Sequence, residues 1–309
     1  MTNGRQLKTH LKRAAFGLLT TPVVNRSLVR PLRHVERIRK AGRVHRLPVV
    51  GSFTARGFDG CAIQLATAGR DSIASRLFWR GLEGFEPESL GPFHRLAKVS
   101  AGVLDIGANT GVYALVAAAA NPDAVVIAFE PVPEIFEYLA GNARLNAFAH
   151  LRLEQLALGD HDGQIEFFVP VGVTLATGGS AAIGFRPADQ TLTVTCTTLD
   201  EYLDDHRSPQ IDLIKMDTES TEPTVLDGAS ATLARCRPTI ICEVLKGRTE
   251  QALHDRLAPQ EYRYFLMTEN GLEGRAAIEA DGSYRYKNYL FVPEERIDWV
   301  RRHAGVPVL

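Results

Sequence analysis

Residues 103–111 read VLDIGANTG: an apolar run that takes in Asp105, then a turn with Gly107 and Gly111 four positions apart. A short apolar run that stops at a glycine is a strand about to turn sharply. Glycine there lets the backbone approach a ligand with no side chain in the way. VYALVAAAAN then continues as a helix and AVVIAFEP as the next strand. Strand, glycine turn, helix and strand in that order open a doubly wound sheet, where ligands bind outside the carboxyl ends of the strands.

The alternation continues to the C-terminus. PEIFEYLAGNARLNAF has apolar residues at helical intervals, and LRLEQLALGD and GQIEFFVPVG read as strands around an Asp-Gly turn. TLTVTCTTL, IDLIKMD and PTIICEVL read as strands, while EPTVLDGASATLA and RTEQALHDRLAP read as helices. YRYFLMT and YKNYLFV close the pattern as two strands joined through ENGLEG with no helix between them. Apolar strands flanked by helices predict an α/β fold: a Rossmann-like, doubly wound, mostly parallel sheet with an antiparallel C-terminal hairpin at one edge. The expected organisation is a basic helical extension over residues 1–47, a lead-in strand and helices over 48–100, the sheet domain over 101–295 and a tail over 296–309.

The chain of 309 residues has a net charge of -1, which conceals an asymmetry. Up to Arg46 there are twelve Lys and Arg against the single acid Glu36; the remainder has 23 bases and 35 acids. The basic arm lacks interleaved aromatics, which argues against a nucleic-acid partner. It reads as a helical extension packed on the body, interrupted at Pro22 and Pro31, with peripheral contact to an anionic membrane as the alternative. No stretch approaches the roughly 20 apolar residues of a membrane-spanning helix. Cys61, Cys196, Cys236 and Cys242 form no CxxC pair and read as reduced, buried thiols, hence a cytoplasmic location, with the inner membrane face as the variant. The oligomeric state is left open.

Glu130, at the end of IAFEP, lies about twenty residues beyond the turn, where an acid hydrogen-bonding a ribose diol belongs. The dinucleotide fingerprint GxGxxG is not met, because Asn109 stands where its second Gly would be. A strand-end turn plus a ribose acid suits S-adenosylmethionine as well as NAD, and the closing antiparallel strands favour the former. Glu86, beside Pro87, reads as a helix-start acid that can instead face the cofactor.

VLDIGANTGVYAL, IAFEPVPEIFEYLAGNARLN, LALGD, TTLDEYL, IDLIKMDTESTE, VLDGA and NYLFVP follow one another as they do in FkbM-type S-adenosylmethionine-dependent methyltransferases, and LFWRGLEGFEPES resembles the stretch that precedes the glycine turn there. The resemblance spans about residues 75 to 293. It implies a class I methyltransferase fold, with S-adenosyl-L-methionine as cofactor. It further implies cofactor contacts from Glu86, Asp105, Gly107, Ala108, Asn109, Gly111, Glu130, Pro131, Ala157, Asp160 and Asp217, and a small-molecule or glycan acceptor. One departure stands out. The family pattern Asp-x-Glu-Gly-x-Glu appears as DTESTE, with Ser220 in place of the Gly, which puts acceptor contacts around Ser220 and Thr221 in question.

The implied reaction is methyl transfer to a hydroxyl of a sugar, a glycolipid or a secondary metabolite, which needs a base. Asp217, Glu219 and Glu243, at the ends of the fourth and fifth main strands, are the candidate catalytic acids. They can act as bare carboxylates or hold a Mg²⁺; the metal-free reading is preferred and no metal site is assigned. Glu222 reads equally as a helix N-terminal acid, Lys215 as a buried strand lysine paired with an acid or a substrate contact, and ATGGSAAIG (176–184) as a lid or a linker. A catalytically silent nucleotide-binding scaffold, and less so an NAD-dependent oxidoreductase, stand as alternatives.

Overall fold

The computed structural model describes residues 14–35, 47–169, 180–182, 190–206 and 210–309, which divide into two compact units with the boundary in sequence after Phe85.

In the first unit, strands β1 (Val50–Gly57) and β2 (Cys61–Ala68) form an antiparallel hairpin. β2 alternates buried Cys61, Ile63 and Leu65 with more exposed neighbours, the period-two pattern of a half-buried strand. Helix α1 (Ser72–Arg80) follows, capped by Asp71, whose carboxylate accepts from the Ile73 and Ala74 N–H groups at 2.8 and 2.9 Å. The described part of the basic extension packs on this hairpin. Asn25, fully buried, donates to the Leu19 and Pro48 carbonyls and accepts from the Val50 N–H. Arg30 donates to Val50 and Ser52 and Arg33 to Thr54, so alternate carbonyls of β1 are covered by guanidinium groups. Pro22 and Pro31 do not detach the segment: each starts a fresh helical turn, Pro22–Val24 and Arg30–His34.

The second unit is built on an eight-stranded sheet. β3 (Gly102–Ile106), β4 (Val125–Phe129) and β5 (Leu151–Glu154) run parallel to one side; β9 (Leu213–Met216) and β10 (Thr239–Glu243) continue parallel to the other. β13 (Asn288–Pro293) pairs antiparallel with both β10 and β11 (Tyr262–Thr268), and β12 (Gly271–Arg275) forms the edge beyond β11. Strand order reverses between β3 and β9, and the glycine turn sits there. A second sheet joins β6 (Ala157–Gly159), β8 (Gln190–Thr198) and β7 (Gly163–Val169) in that order.

Helix α2 (Pro87–Ala97) precedes β3, and α3 (Val112–Ala120) and α4 (Pro133–Asn146) connect β3 to β4 and β4 to β5, with α5 (Leu199–Asp205), α6 (Glu222–Asp227), α7 (Ser230–Cys236), α8 (Glu250–Leu257) and α9 (Ile297–His303) later in the chain. Leu104, Ile106, Ile127, Phe129, Ile214, Met216, Ile240 and Cys242, at alternate positions of the parallel strands, join one buried cluster with Tyr289 and Phe291 of the antiparallel β13. All four cysteines are free and buried.

Two sequence expectations are refined. The antiparallel edge hairpin is β11–β12, whose second strand starts inside ENGLEG and runs to Arg275, while β13 is inserted into the sheet. All six β13 residues are buried, as a strand covered on both faces requires, whereas β12 becomes exposed towards Arg275. LRLEQLALGD is two strands, not one: LRLE closes the main sheet and ALG joins the second.

Candidate functional site

The site grows from the ends of β3 and β9. Gly107 has φ +79°, and a Cβ there would overlap the Asp217 carbonyl oxygen, so only glycine fits both the backbone and the space. Gly111, φ +94°, stands where a Cβ would strike Leu139 of α4. Between them Asn109 also adopts positive φ, +51°, which Asn tolerates better than most residues. The Gly107 and Ala108 N–H groups donate to the Phe129 carbonyl at 3.0 and 2.9 Å, tying the turn to the end of β4.

Asp105 and Glu130 brace this turn from below and beside it. Asp105, 2% exposed, accepts from the Ala114 N–H at 2.8 Å; burial pushes its carboxyl up to about 7, against the pull of Lys215. Glu130 accepts from the Asn109 N–H with one oxygen and the Val132 N–H with the other, both at 2.9 Å. Burial raises it to about 7 although both N–H groups favour the anion. Its carboxylate is thereby fixed at the turn, with a second lone pair left on each oxygen. Pro131 follows directly. Ala157 packs with Val132 and Ile135 just beyond. Asp160 is not drawn into this contact set: it is exposed and bonded to His161 at 2.6 Å, which holds its carboxyl below the usual range.

Across the switch point, carboxylate oxygens of Asp217, Glu219 and Glu243 lie within 4.8 Å of one another. Glu243 sits at the end of β10, accepts from Lys287 at 3.2 Å, and is pushed up to about 8 by burial and by Asp217, with Lys287 opposing. Asp217 meets Lys215 at 3.4 Å. Lys215 is 1% exposed. Burial alone would lower its ammonium, but Asp217, Glu86 and Glu243 outweigh that and hold it above its ordinary value. Glu219 and Ser220 have φ of +55° and +83° in succession. The Ser220 position, glycine in the family pattern, is therefore one whose backbone favours glycine. Glu222, the first residue of α6, folds its carboxylate back onto the Thr218 and Ser220 N–H groups at 3.0 and 3.1 Å, bracing this turn. Of ATGGSAAIG only Ser180–Ala182 lies within the described residues, and the Ser180 hydroxyl donates to the Glu219 carbonyl at 2.6 Å.

Glu86 is the residue before α2, with φ +42°, and it faces the interior of this unit rather than capping the helix. One of its oxygens accepts from the Tyr113 hydroxyl at 2.8 Å and the Asn288 amide at 3.2 Å. Ser89, Tyr113 and Asn288, none singled out from the sequence, complete a buried network: Ser89 bonds Tyr113 at 2.8 Å and accepts from Asn288 at 3.1 Å, while the Asn288 carbonyl accepts from Lys215 at 3.3 Å. Glu86 is thus linked to Asp217 through Asn288 and Lys215. The only signal of it in the sequence is a lone amide opening the apolar strand NYLFVP.

Turn, strand-end acid and carboxylate cluster together make a site at a topological switch point. Among solved structures, one from Methylobacillus flagellatus KT, described as methyltransferase FkbM, is 15% identical over 62% of this chain, with a TM-score of 0.43; the chain spans 43% of that protein's length. A SAM-dependent methyltransferase from Agrobacterium tumefaciens is 13% identical over 80% of this chain and 71% of its own, TM-score 0.43. The O-methyltransferase TomG from Streptomyces achromogenes, solved with SAM, is 13% identical over 66% and 77%, TM-score 0.39. No curated protein matches. The family model described as the methyltransferase FkbM domain matches residues 105–290, from the aspartate beneath the glycine turn through to β13, and the chain therefore belongs to the FkbM family of S-adenosylmethionine-dependent methyltransferases.

Proposed function

We propose that the protein transfers a methyl group from S-adenosylmethionine to a hydroxyl of a sugar, a glycolipid or a secondary metabolite. The observation that carries this reading is the carboxylate cluster beside the glycine turn, in which Glu243 has a proton affinity raised to about 8. A base of that strength suits a hydroxyl acceptor near neutral pH, and a positioned base typically contributes about 10²- to 10⁴-fold.

The residues at the turn fit the cofactor. Gly107 lets the turn close against the Asp217 carbonyl, so that the ends of β3 and β9 meet at the cofactor floor, and the Glu130 oxygens have lone pairs free for a ribose diol. Gly107, Ala108, Asn109 and Gly111 form the floor of the cofactor site in this reading. Asp105 holds the floor from beneath, Pro131 and Ala157 border the ribose side, and Glu86 and Asp217 border the reacting side. Asp160 would reach the cofactor only by leaving His161. When bound, S-adenosylmethionine supplies an electrophilic methyl carbon on a sulfonium, whose carbon–sulfur bond breaks as the acceptor oxygen bonds that carbon.

Glu243 takes the hydroxyl proton in the molecules where it is ionised, a fraction that Lys287 enlarges and that grows as pH approaches about 8. Asp217 and Glu219 accept hydrogen bonds from the acceptor and orient the attacking oxygen, the part of the task for which effective molarities reach about 10⁵ to 10⁸ M in favourable models. Lys215 balances the charge of Asp217 from inside the fold. The Ser220 departure leaves this arrangement standing, because Glu222 braces the turn through backbone N–H groups. No metal is needed for these roles, although the three carboxylates are also a suitable oxygen donor set for Mg²⁺.

The test uses methyl-labelled S-adenosylmethionine with panels of glycolipids, polysaccharides and polyols. Label in a base-stable ether is the expected result; label released by base as methanol would point to carboxylate acceptors instead. Calorimetry with S-adenosylmethionine, S-adenosylhomocysteine and NAD accompanies it, and binding of NAD alone would overturn the reading. EDTA leaves turnover unchanged if the carboxylates act bare; loss restored by Mg²⁺ would recast them as ligands.

A further inference from the structure

We propose that the outward face of residues 14–35 docks the protein onto an anionic membrane surface. The inward face of this segment is occupied: Asn25 and Val29 are buried, and Arg30 and Arg33 bond to carbonyls of β1. The same segment exposes Leu18, Val23, Leu28 and Val35 by 62, 73, 64 and 45%. These are half of the eight large apolar side chains that are exposed among the described residues, gathered into one short segment. Isolated exposed aliphatic side chains are ordinary on any surface, but four on one short segment are not.

Charge selects the partner. Residues 14–35 contain no Asp or Glu; Arg30 and Arg33 are turned to β1, and Arg26 and His34 are the other basic residues of this segment. The sequence on either side adds Arg5, Lys8, Lys12 and Arg13 before it and Arg37, Arg39, Lys40, Arg43 and Arg46 after it, with Glu36 the lone acid. Cations that precede and follow this segment in sequence suit a continuous sheet of negative headgroups, with the exposed aliphatic side chains entering the acyl boundary. No described helix is long and apolar enough to cross a membrane, so the segment lies on the surface.

The experiment is cosedimentation of the full chain with phosphatidylglycerol–phosphatidylcholine vesicles, and with phosphatidylcholine alone, as salt rises from about 0.05 to about 0.5 M. Binding to the anionic vesicles at low salt, fading with salt, is expected, since each Lys or Arg near the surface contributes about fivefold in partition. Val23→Glu with Leu28→Glu lowers the partition at least about tenfold while circular dichroism and the thermal midpoint stay unchanged, both positions being exposed. Leu18→Ser with Leu28→Ser is the gentler pair, and it lowers binding without adding negative charge. Three outcomes would overturn the proposal: no binding to anionic vesicles at low salt, undiminished binding of both variant pairs, or a concentration-dependent dimer that the same substitutions dissolve. The last would assign these side chains to a second copy of the chain.

Discussion

Replacing Ser220 by glycine should stabilise the protein. Ser220 holds φ +83° directly after Glu219 at +55°, and a left-handed non-glycine costs roughly 1–2 kcal/mol. Its hydroxyl oxygen is buried without a hydrogen-bond partner among the described residues, and an unsatisfied buried hydroxyl costs about 1–3 kcal/mol. Against these gains, glycine adds freedom to the unfolded chain, worth about 0.4–1 kcal/mol. The Ser220 N–H bond to Glu222 at 3.1 Å survives the change. The balance is a gain of about 1–4.5 kcal/mol, read as a higher urea midpoint at unchanged m-value. Ser220→Ala separates the contributions, because it removes the hydroxyl and keeps the strain, so it should recover only part of the gain. A glycine variant no more stable than the parent would refute the argument, and alanine matching glycine would assign the effect to the hydroxyl alone.

Glu130→Gln places an amide where two backbone N–H groups seek acceptors, so S-adenosylhomocysteine binding should weaken by about 1.5–3 kcal/mol in calorimetry; unchanged affinity would remove Glu130 from the cofactor site. Gly107→Ala should abolish cofactor binding, since its Cβ overlaps the Asp217 carbonyl, and retained binding would mean the turn is not the cofactor floor. Glu243 is held protonated in the fold up to about 8 against an ordinary 4.5, so its contribution to stability is full below about 4.5 and is lost as pH rises to about 8. Denaturation of Glu243→Gln against the parent from pH 4.5 to 9 should therefore show a relative gain for the variant that grows with pH; a pH-independent difference would contradict the buried, proton-retaining environment.

The parts of the fold that were legible in sequence are those fixed by local periodicity. VLDIG, AVVIAF and PTIICE are short, apolar and bounded by turn residues, and a strand covered on both faces shows itself that way. Gly107 was readable because no other residue fits a positive φ against a neighbouring strand. The spacing from Gly107 to Glu130 likewise follows from one strand–turn–helix–strand unit. The convergence of Glu86, Ser89, Tyr113, Lys215 and Asn288 was not readable, since β13 brings Asn288 beside a residue about two hundred positions earlier and nothing local records that pairing. The two halves of LRLEQLALGD separate into different sheets for a similar reason: each fragment has strand character, and only tertiary pairing decides its partner. Glu222 illustrates a third case, in which a residue placed correctly at a helix start turns its side chain back to hold the preceding turn.

The insertion of β13 between β10 and β11 bears on how the protein is made. Residues 103–243 can leave the ribosome and form their parallel strands in the order of synthesis. Lys215 and Glu86 meet their shared amide only when Asn288 arrives, near the end of translation. Until then β10 has an unpaired edge, the kind of surface along which nascent chains associate wrongly. A chain released before β13 would have every glycine and acid of the cofactor turn, yet its buried lysine would lack its most distant partner. Quality control of this protein therefore falls on its last strand, and stop codons shortly before Asn288 should yield aggregates rather than soluble, cofactor-binding protein.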